Sequence, residues 1–211
     1  MSKNIFIMGD SYSTFKGYIP EGYACYYGTN RENAAYVSEM GKTWWGLLTK
    51  EMDLNLVKND SYSGSTVCTS VRETQPITAA FVKRIDKYIE EGFFEKNPID
   101  TFLVFGGTND NWLGRPMGET MYEGWDEESL KCILPAFCYL LDRLKKQKNI
   151  SRVVVIFNTA LKPALVDGVV EACERLGADY IKLVDVEKEF GHPNETGMAQ
   201  IAEQLKAFLS K

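Results

Sequence analysis

Apolar residues are concentrated in short runs along the chain, and turn-forming residues follow each run. Five of these runs are rich in β-branched residues, at positions 5–8, 54–57, 101–105, 153–157 and 180–184. Because both faces of each run are apolar, the pattern predicts buried parallel strands rather than half-exposed antiparallel ones.

The segments between these runs have apolar residues at helical spacing. This spacing predicts helices over residues 44–52, 76–91, 127–146, 163–176 and 196–209. Strands that alternate with helices are typical of a doubly wound α/β fold, here a three-layer α/β/α sandwich around a central parallel sheet of about five strands. No linker or repeat interrupts the pattern, so we expect residues 1–211 to form a single domain.

Two long stretches, residues 13–42 and 111–127, lack regular periodicity. Loops of this length in a compact domain are usually functional or disordered. Both are rich in aromatic residues, which argues against disorder. We therefore expect them to overhang the ends of the strands, either as a binding surface or as the packed core of a lid.

The charge pattern excludes several classes of partner. The chain has 24 basic and 29 acidic residues, a net charge of -5, and its Lys and Arg residues are scattered, which disfavours nucleic acid or an anionic membrane. No apolar stretch approaches the roughly 20 residues of a membrane span. The apolar run at 5–8 is too short for a signal-peptide core, so the chain as given is expected to be cytoplasmic. A chain from which a signal peptide had been removed would show the same pattern.

The five cysteines form no CxxC pair, and His192 is the only histidine. This composition predicts neither a structural zinc site nor a disulfide framework. We predict no metal and no cofactor, and expect most of the thiols to be buried as small apolar groups.

Small polar residues follow three of the predicted strands. Ser11 comes after the first, Gly64 lies in the segment after the second, and Asn109 follows the third. His192 precedes the final helix and also lies in a loop. Because ligands of an open parallel sheet sit at the carboxyl ends of its strands, these residues can meet there. A hydroxyl, a base and amide donors are the groups that acyl transfer needs.

Each of these residues also has a structural explanation. Ser11 and Asn109 can cap helices, Gly64 can serve a turn, and a histidine beside Gly and Pro is often an exposed loop residue. Their joint placement at the ends of successive strands favours a functional site over four independent structural roles.

The same residues resemble the four sequence blocks of the SGNH (GDSL-type) hydrolase family. Residues 9–11 (Gly-Asp-Ser) match the first block, residues 59–64 the second, residues 107–110 (Gly-Thr-Asn-Asp) the third, and residues 192–193 (His-Pro) the last. Four blocks in the family's order, over almost the whole chain, are a specific signal. Tyr12 stands where the first block has Leu.

The resemblance implies a serine esterase. Ser11 would be the nucleophile and His192 its general base. The backbone amides of Ser11 and Gly64 and the side-chain amide of Asn109 would form the oxyanion hole. Glu189 stands where the family has the acid of the triad, normally an Asp.

Three groups can therefore orient His192. Glu189 would hold the imidazole tautomer as the triad acid does. Otherwise a backbone carbonyl or Asp185 does so. Asp10 and Asp110, which flank the site, are expected to accept backbone amide hydrogen bonds and shape their loops.

The expected substrate is a carboxylic ester with a short acyl group, such as acetyl on a carbohydrate. This expectation rests on the absence of the large apolar insertions of a lipase lid and partly on the family resemblance. Tyr12, Trp112 and Arg115 are the predicted substrate-binding residues. The sequence does not predict the oligomeric state.

Two other classes of function remain open. One is a flavodoxin-like module that binds a nucleotide, although the chain lacks the G-x-G-x-x-G and G-x-x-x-x-G-K-[ST] motifs. The other is a non-catalytic ligand-binding protein on the hydrolase fold, which the Glu189 departure leaves open.

Overall fold

A computed structural model describes residues 2–28 and 35–211. Its central sheet consists of five parallel strands, in the order β2-β1-β3-β4-β5. The strands are β1 Lys3–Gly9, β2 Leu54–Ser61, β3 Ile99–Phe105, β4 Ile150–Phe157 and β5 Asp179–Lys182. The predicted five-stranded parallel sheet is confirmed.

Seven α-helices lie among the described residues. They are α1 Trp44–Glu51, α2 Phe81–Glu90, α3 Phe93–Lys96, α4 Thr108–Trp112, α5 Ile133–Lys145, α6 Pro163–Leu176 and α7 Glu195–Leu209. Two predicted helices begin later than expected. α5 was predicted from residue 127 and begins at Ile133, because Pro135 has no N–H and is tolerated only in a first turn. α2 follows a separate 3-10 turn at Ile77–Ala79, which extended backbone at Ala80 divides from the helix.

The three central strands β1, β3 and β4 bury both faces, as their apolar runs predict, whereas the edge strands β2 and β5 are partly exposed, which corrects the prediction for those two. Ile5 and Ile7 point to the layer that contains α1 and α7, whereas Phe6 and Met8 point to the layer of α2, α5 and α6. Each layer has its own apolar core, which makes the molecule a three-layer α/β/α sandwich. Within the described ranges, no helix is both long and apolar enough to cross a membrane.

The carboxyl ends of the strands carry the predicted motifs. β1 ends at Gly9, which lies beside Ser61 of β2 and Phe105 of β3. A short antiparallel hairpin, β6 Lys188–Glu189 and β7 His192–Pro193, stands where we predicted a loop.

The two aromatic stretches are largely irregular, as predicted. The first contains a 3-10 turn at Met40–Lys42, and its residues 29–34 lie outside the described part of the chain. The second begins within α4 and is otherwise irregular up to residue 127.

Candidate active site

Ser11 opens a buried 3-10 turn immediately after β1. The Asp10 carboxylate caps this turn by accepting the backbone N–H of Tyr12 at 3.0 Å. Gly9 makes the turn possible, since a Cβ there would lie 2.6 Å from the hydroxyls of Ser13 and Ser61. The strand end therefore requires glycine, and the capping carboxylate confirms the structural role predicted for Asp10.

Side chains from the next elements hold this turn. The indoles of Trp44 and Trp45 donate to the Oγ and the carbonyl of Ser13, at 3.3 and 2.9 Å. The Asn59 amide donates to the same carbonyl at 2.9 Å. Both tryptophans are fully buried, so the turn that carries Ser11 is held by packed side chains.

His192 reaches the same place from the opposite end of the chain. Its Nε2 lies 3.0 Å from Ser11 Oγ. The Tyr26 ring stacks on the imidazole, with ring centroids 3.8 Å apart and planes 6° apart. Trp112 packs edge-on at 5.8 Å. The imidazole is thus confined between aromatic rings with one nitrogen directed at the serine hydroxyl.

The other nitrogen of His192 does not meet Glu189. Nδ1 lies 3.5 Å from the backbone carbonyl of Phe190, and the Glu189 carboxylate accepts from Asn194 Nδ2 at 3.1 Å. Asp185 is exposed, and no hydrogen bond between it and His192 occurs in the described part of the chain. The structure therefore matches the backbone-carbonyl alternative rather than the predicted carboxylate.

The hairpin geometry explains this difference. Phe190 and Gly191 both have positive φ, 47° and 82°, which is the two-residue turn typical of tight hairpins. The turn brings the Phe190 carbonyl to 3.5 Å from Nδ1 of the imidazole, while the Glu189 side chain contacts Asn194.

Two tyrosine hydroxyls fix the hairpin. Tyr12 donates to the carbonyl of Gly191, and Tyr27 donates to that of Pro193 at 2.7 Å. The Tyr12 ring is fully buried and packs edge-on against Phe105. Tyr12 therefore positions the hairpin that carries His192 from within the core. This position differs from the substrate-binding role predicted for Tyr12.

Gly64 and Asn109 line the same cavity as Ser11 and His192. Asn109 is buried, and its Nδ2 donates to the carbonyl of Ser65 at 3.0 Å. Gly64 has a φ of 81°, in the region that favours glycine.

A carboxylate anchors the chain three and four residues after Gly64. The Asp110 carboxylate accepts the backbone N–H groups of Val67 and Cys68, at 2.9 and 3.1 Å. The structural role predicted for Asp110 is confirmed.

A buried arginine that is not among the predicted site residues connects the ends of β1 and β2 with the segment that follows β2. Arg84 forms an ion pair with Asp60 at 2.9 Å and donates to the Gly9 carbonyl and the Ser65 hydroxyl, both at 3.2 Å. Its guanidinium also lies over the Phe81 ring. The signal in the sequence was a charged residue on the apolar face of α2.

The site opens into a cavity of about 260 Å³. It is lined by Ser11, Tyr26, Ser63, Gly64, Arg72, Gln75, Asn109, Trp112 and His192. Trp112 is on the wall, where its predicted substrate role places it. Arg115 is not on the wall, because its guanidinium is turned toward the carbonyl of Val71, to which Nη2 donates at 2.9 Å.

Burial shifts two pKa values at the site. Desolvation lowers the pKa of His192 below 6.5, with a smaller lowering from the Lys188 charge, while the Phe190 carbonyl raises it. Desolvation raises the pKa of Asp10 to about 7, and the nearby Asp110 carboxylate adds to the rise. The lowered pKa of His192 favours the neutral imidazole, the form that a general base requires.

Comparisons with known proteins show the family of the chain. The sequence profile of GDSL-like Lipase/Acylhydrolase matches residues 3–209. The solved structure of a Bacteroides ovatus protein described as a GDSL-like lipase is 35% identical, with a TM-score of 0.90 over 100% of this chain and 99% of that one. A Bacteroides uniformis protein with the same description is 37% identical, with a TM-score of 0.88 over 99% and 96% of the two chains.

A more distant structure shares the fold alone. Est24, a carbohydrate acetylesterase from Sinorhizobium meliloti, is 12% identical, with a TM-score of 0.66 over 99% of both chains. No functionally curated protein is significantly similar to this chain in sequence.

Fold, site and comparisons together define an ester-hydrolysing serine hydrolase. The chain belongs to the GDSL-like lipase/acylhydrolase family, as the four sequence blocks predicted.

Proposed function

We propose that this chain hydrolyses short-acyl carboxylic esters, with Ser11 as nucleophile and His192 as general base. The observation that carries the proposal is the 3.0 Å contact between Ser11 Oγ and His192 Nε2, at the wall of a cavity that Gly64 and Asn109 also line. A serine hydroxyl within hydrogen-bond reach of a neutral imidazole is the arrangement that activates a serine.

The reaction would proceed in two halves. Ser11 Oγ attacks the ester carbonyl carbon while its proton moves to His192 Nε2, which gives a tetrahedral oxyanion. As the oxyanion collapses, the ester C–O bond breaks and Nε2 returns the proton to the departing alkoxide oxygen. Water, deprotonated by the same nitrogen, then attacks the carbonyl carbon of the acyl-serine. The bond from this carbon to Ser11 Oγ breaks, Nε2 returns the proton to Oγ, and the carboxylic acid is released.

The oxyanion would be bound by three donors. The backbone amides of Ser11 and Gly64 are two of them, and Asn109 Nδ2 is the third. That nitrogen carries two hydrogens and uses one on the Ser65 carbonyl. The second remains for the oxyanion, and such a donor contributes most once negative charge develops.

We further propose that a main-chain carbonyl takes the place of the triad acid. With the Nδ1 hydrogen directed at the Phe190 carbonyl, Nε2 is left as the acceptor that the serine proton needs. The carbonyl dipole stabilises the imidazolium less than a carboxylate would, but the tight hairpin holds it in place.

The size of the cavity supports a short acyl group. A volume of about 260 Å³ lies below the ~300–1,000 Å³ of pockets that enclose drug-sized ligands. The fold shared with a carbohydrate acetylesterase makes acetylated sugars sensible candidates, and Trp112, 46% exposed at the rim, offers a face for stacking.

A panel of 4-nitrophenyl esters from acetate to octanoate tests this substrate class. We expect kcat/KM to be highest for acetate or butyrate and to fall by roughly 10-fold or more at octanoate, because a small cavity accepts few methylenes. An acetylated oligosaccharide run in parallel reports on the alcohol part. A maximum at octanoate would contradict the short-acyl assignment.

The pH profile tests the state of His192. Only the neutral imidazole accepts the serine proton, so kcat/KM falls as the pH drops through the pKa of His192. Because burial lowers that pKa below 6.5, we expect more than half of the plateau value to remain at pH 6.5. An acid limb centred above pH 6.5 would contradict this.

Glu189→Gln is the matched variant for this profile, since it removes the charge and keeps the size. With the Phe190 carbonyl orienting the imidazole, we expect kcat to change by less than about threefold and the acid limb to stay in place. Removing the acid of a working triad costs on the order of 10⁴-fold. A loss of that order in this variant would assign the acid role to Glu189.

A further inference from the structure

Arg72 lies on the wall of the catalytic cavity without an acidic partner. Its Nη2 is 3.4 Å from the Asn109 side-chain oxygen, a long contact, and its Nε is buried with no hydrogen-bond acceptor. In the described part of the chain no carboxylate lies within 4.0 Å of this guanidinium. Buried donors are normally hydrogen-bonded, so the guanidinium of Arg72 has donors left for a ligand.

The contrast with Arg84 is direct. Arg84 is fully buried, and its ion pair with Asp60 and its contacts to backbone carbonyls use its donors. Arg72 has comparable chemistry and lacks such partners. The cavity that it lines contains no carboxylate, although the chain as a whole is acidic.

Gln75 supplies a second unused group on the same wall. Its Nε2 donates to the Ser63 carbonyl at 2.7 Å, whereas its Oε1 is buried without a donor. Arg72 Nε and the Gln75 amide both lie next to Gly64, 3.5 and 2.9 Å from where a Cβ on that glycine would stand. An unused donor and an unused acceptor thus adjoin the proposed oxyanion hole.

We propose that Arg72 and Gln75 form a subsite for an acidic group of the substrate. Arg72 would bind a carboxylate, and Gln75 Oε1 would accept from a neighbouring hydroxyl. The substrate class is then an ester that carries a carboxylate near the scissile bond, such as an acylated uronic acid. This inference rests on the proposed esterase function and adds the chemistry of the substrate to it.

Two matched pairs of substrates test the proposal. For a carboxylate in the alcohol part, methyl tri-O-acetylglucuronide is compared with methyl tri-O-acetylglucoside, which has a free hydroxymethyl group in its place. For a carboxylate in the acyl part, mono-4-nitrophenyl adipate is compared with 4-nitrophenyl hexanoate. We expect kcat/KM of wild type to be about tenfold or more higher for the charged member of one pair, the usual effect of a charge-assisted hydrogen bond.

The preference should depend on Arg72. In Arg72→Gln we expect the ratio of kcat/KM between the charged and the neutral member of that pair to fall to about one. Arg175→Gln is the control, because it removes the same charge near the C-terminal end of α6, where the guanidinium lies over Tyr122. The preference should persist in that variant, and thermal unfolding of each protein shows that it is folded.

The outcomes separate this proposal from the function on which it rests. Ser11-dependent hydrolysis of the neutral esters without a preference in either pair would overturn the acidic subsite and leave the esterase intact. An equal loss on both members in Arg72→Gln would also overturn it and assign Arg72 to the support of Asn109. If wild type hydrolyses none of the four esters, both the subsite and the proposed function fail.

Discussion

The Ser11→Ala variant is expected to hydrolyse 4-nitrophenyl acetate on the order of 10⁴- to 10⁶-fold more slowly than wild type, the range found when a serine nucleophile is removed. The change deletes the oxygen that lies 3.0 Å from His192 Nε2. Binding is expected to change little, because the cavity keeps its other walls. The measurement is kcat and KM with this ester, in protein whose thermal unfolding midpoint matches wild type.

His192 provides the internal control for that result. We expect His192→Ala to lose nearly as much activity, and the double variant to lose little more than either single one. Groups that act as one unit are strongly non-additive, because either loss alone already removes the activated nucleophile. Losses that multiply in the double variant, or a Ser11→Ala rate within about tenfold of wild type, would contradict the assignment of this pair.

The Asn109→Ala variant is expected to lower kcat by about 10² to 10³, equivalent to about 3–4 kcal/mol of transition-state stabilisation. The amide hydrogen that is not bound to the Ser65 carbonyl would contact the oxyanion, which exists only during the reaction. KM should therefore change by much less than kcat. Steady-state kinetics with 4-nitrophenyl acetate separates the two parameters.

A matched variant separates catalysis from folding in this experiment. The Asn149 side chain likewise donates one N–H to a backbone carbonyl, that of Phe94, but it stands before β4, at the amino ends of the strands. We expect Asn149→Ala to leave kcat unchanged. If Asn109→Ala raises KM and leaves kcat intact, its role is substrate binding and not transition-state stabilisation.

Much of the fold was predictable because its signals are local. The helix Pro163–Leu176 was predicted to the residue, since Pro163 suits a first turn and Gly177 takes the left-handed conformation, with a φ of 70°, that ends a helix. The three central strands were recognisable because both of their faces are buried, so their apolar runs are continuous. The edge strands β2 and β5 also have apolar runs, although parts of them are exposed.

The meeting of Ser11, Gly64, Asn109 and His192 at one cavity was also predictable, because parallel strands bring their carboxyl ends to one edge. The orientation of His192 was not. It depends on a two-residue turn with positive φ at Phe190, a conformation that a bulky residue rarely adopts. The spacing in the sequence alone favoured Glu189 as the group that orients the imidazole.

Side chains that act through tertiary contacts were the hardest to predict. Tyr12 was expected at the substrate and instead holds Gly191 from the core. Tyr26 stacks on the imidazole from a loop with no periodic pattern. Arg84 reaches from α2 to the ends of β1 and β2 and to the Ser65 hydroxyl. None of these contacts follows from the residues adjacent in sequence.

Covalent labelling by a fluorophosphonate tests the central claim most directly, because the reagent reacts with an activated serine and with few others. Intact mass and peptide mapping of the labelled protein should show one adduct per chain, on Ser11. The adduct should be absent in Ser11→Ala and form far more slowly in His192→Ala. An adduct on any other residue, or no adduct while the protein still hydrolyses esters, would contradict the account.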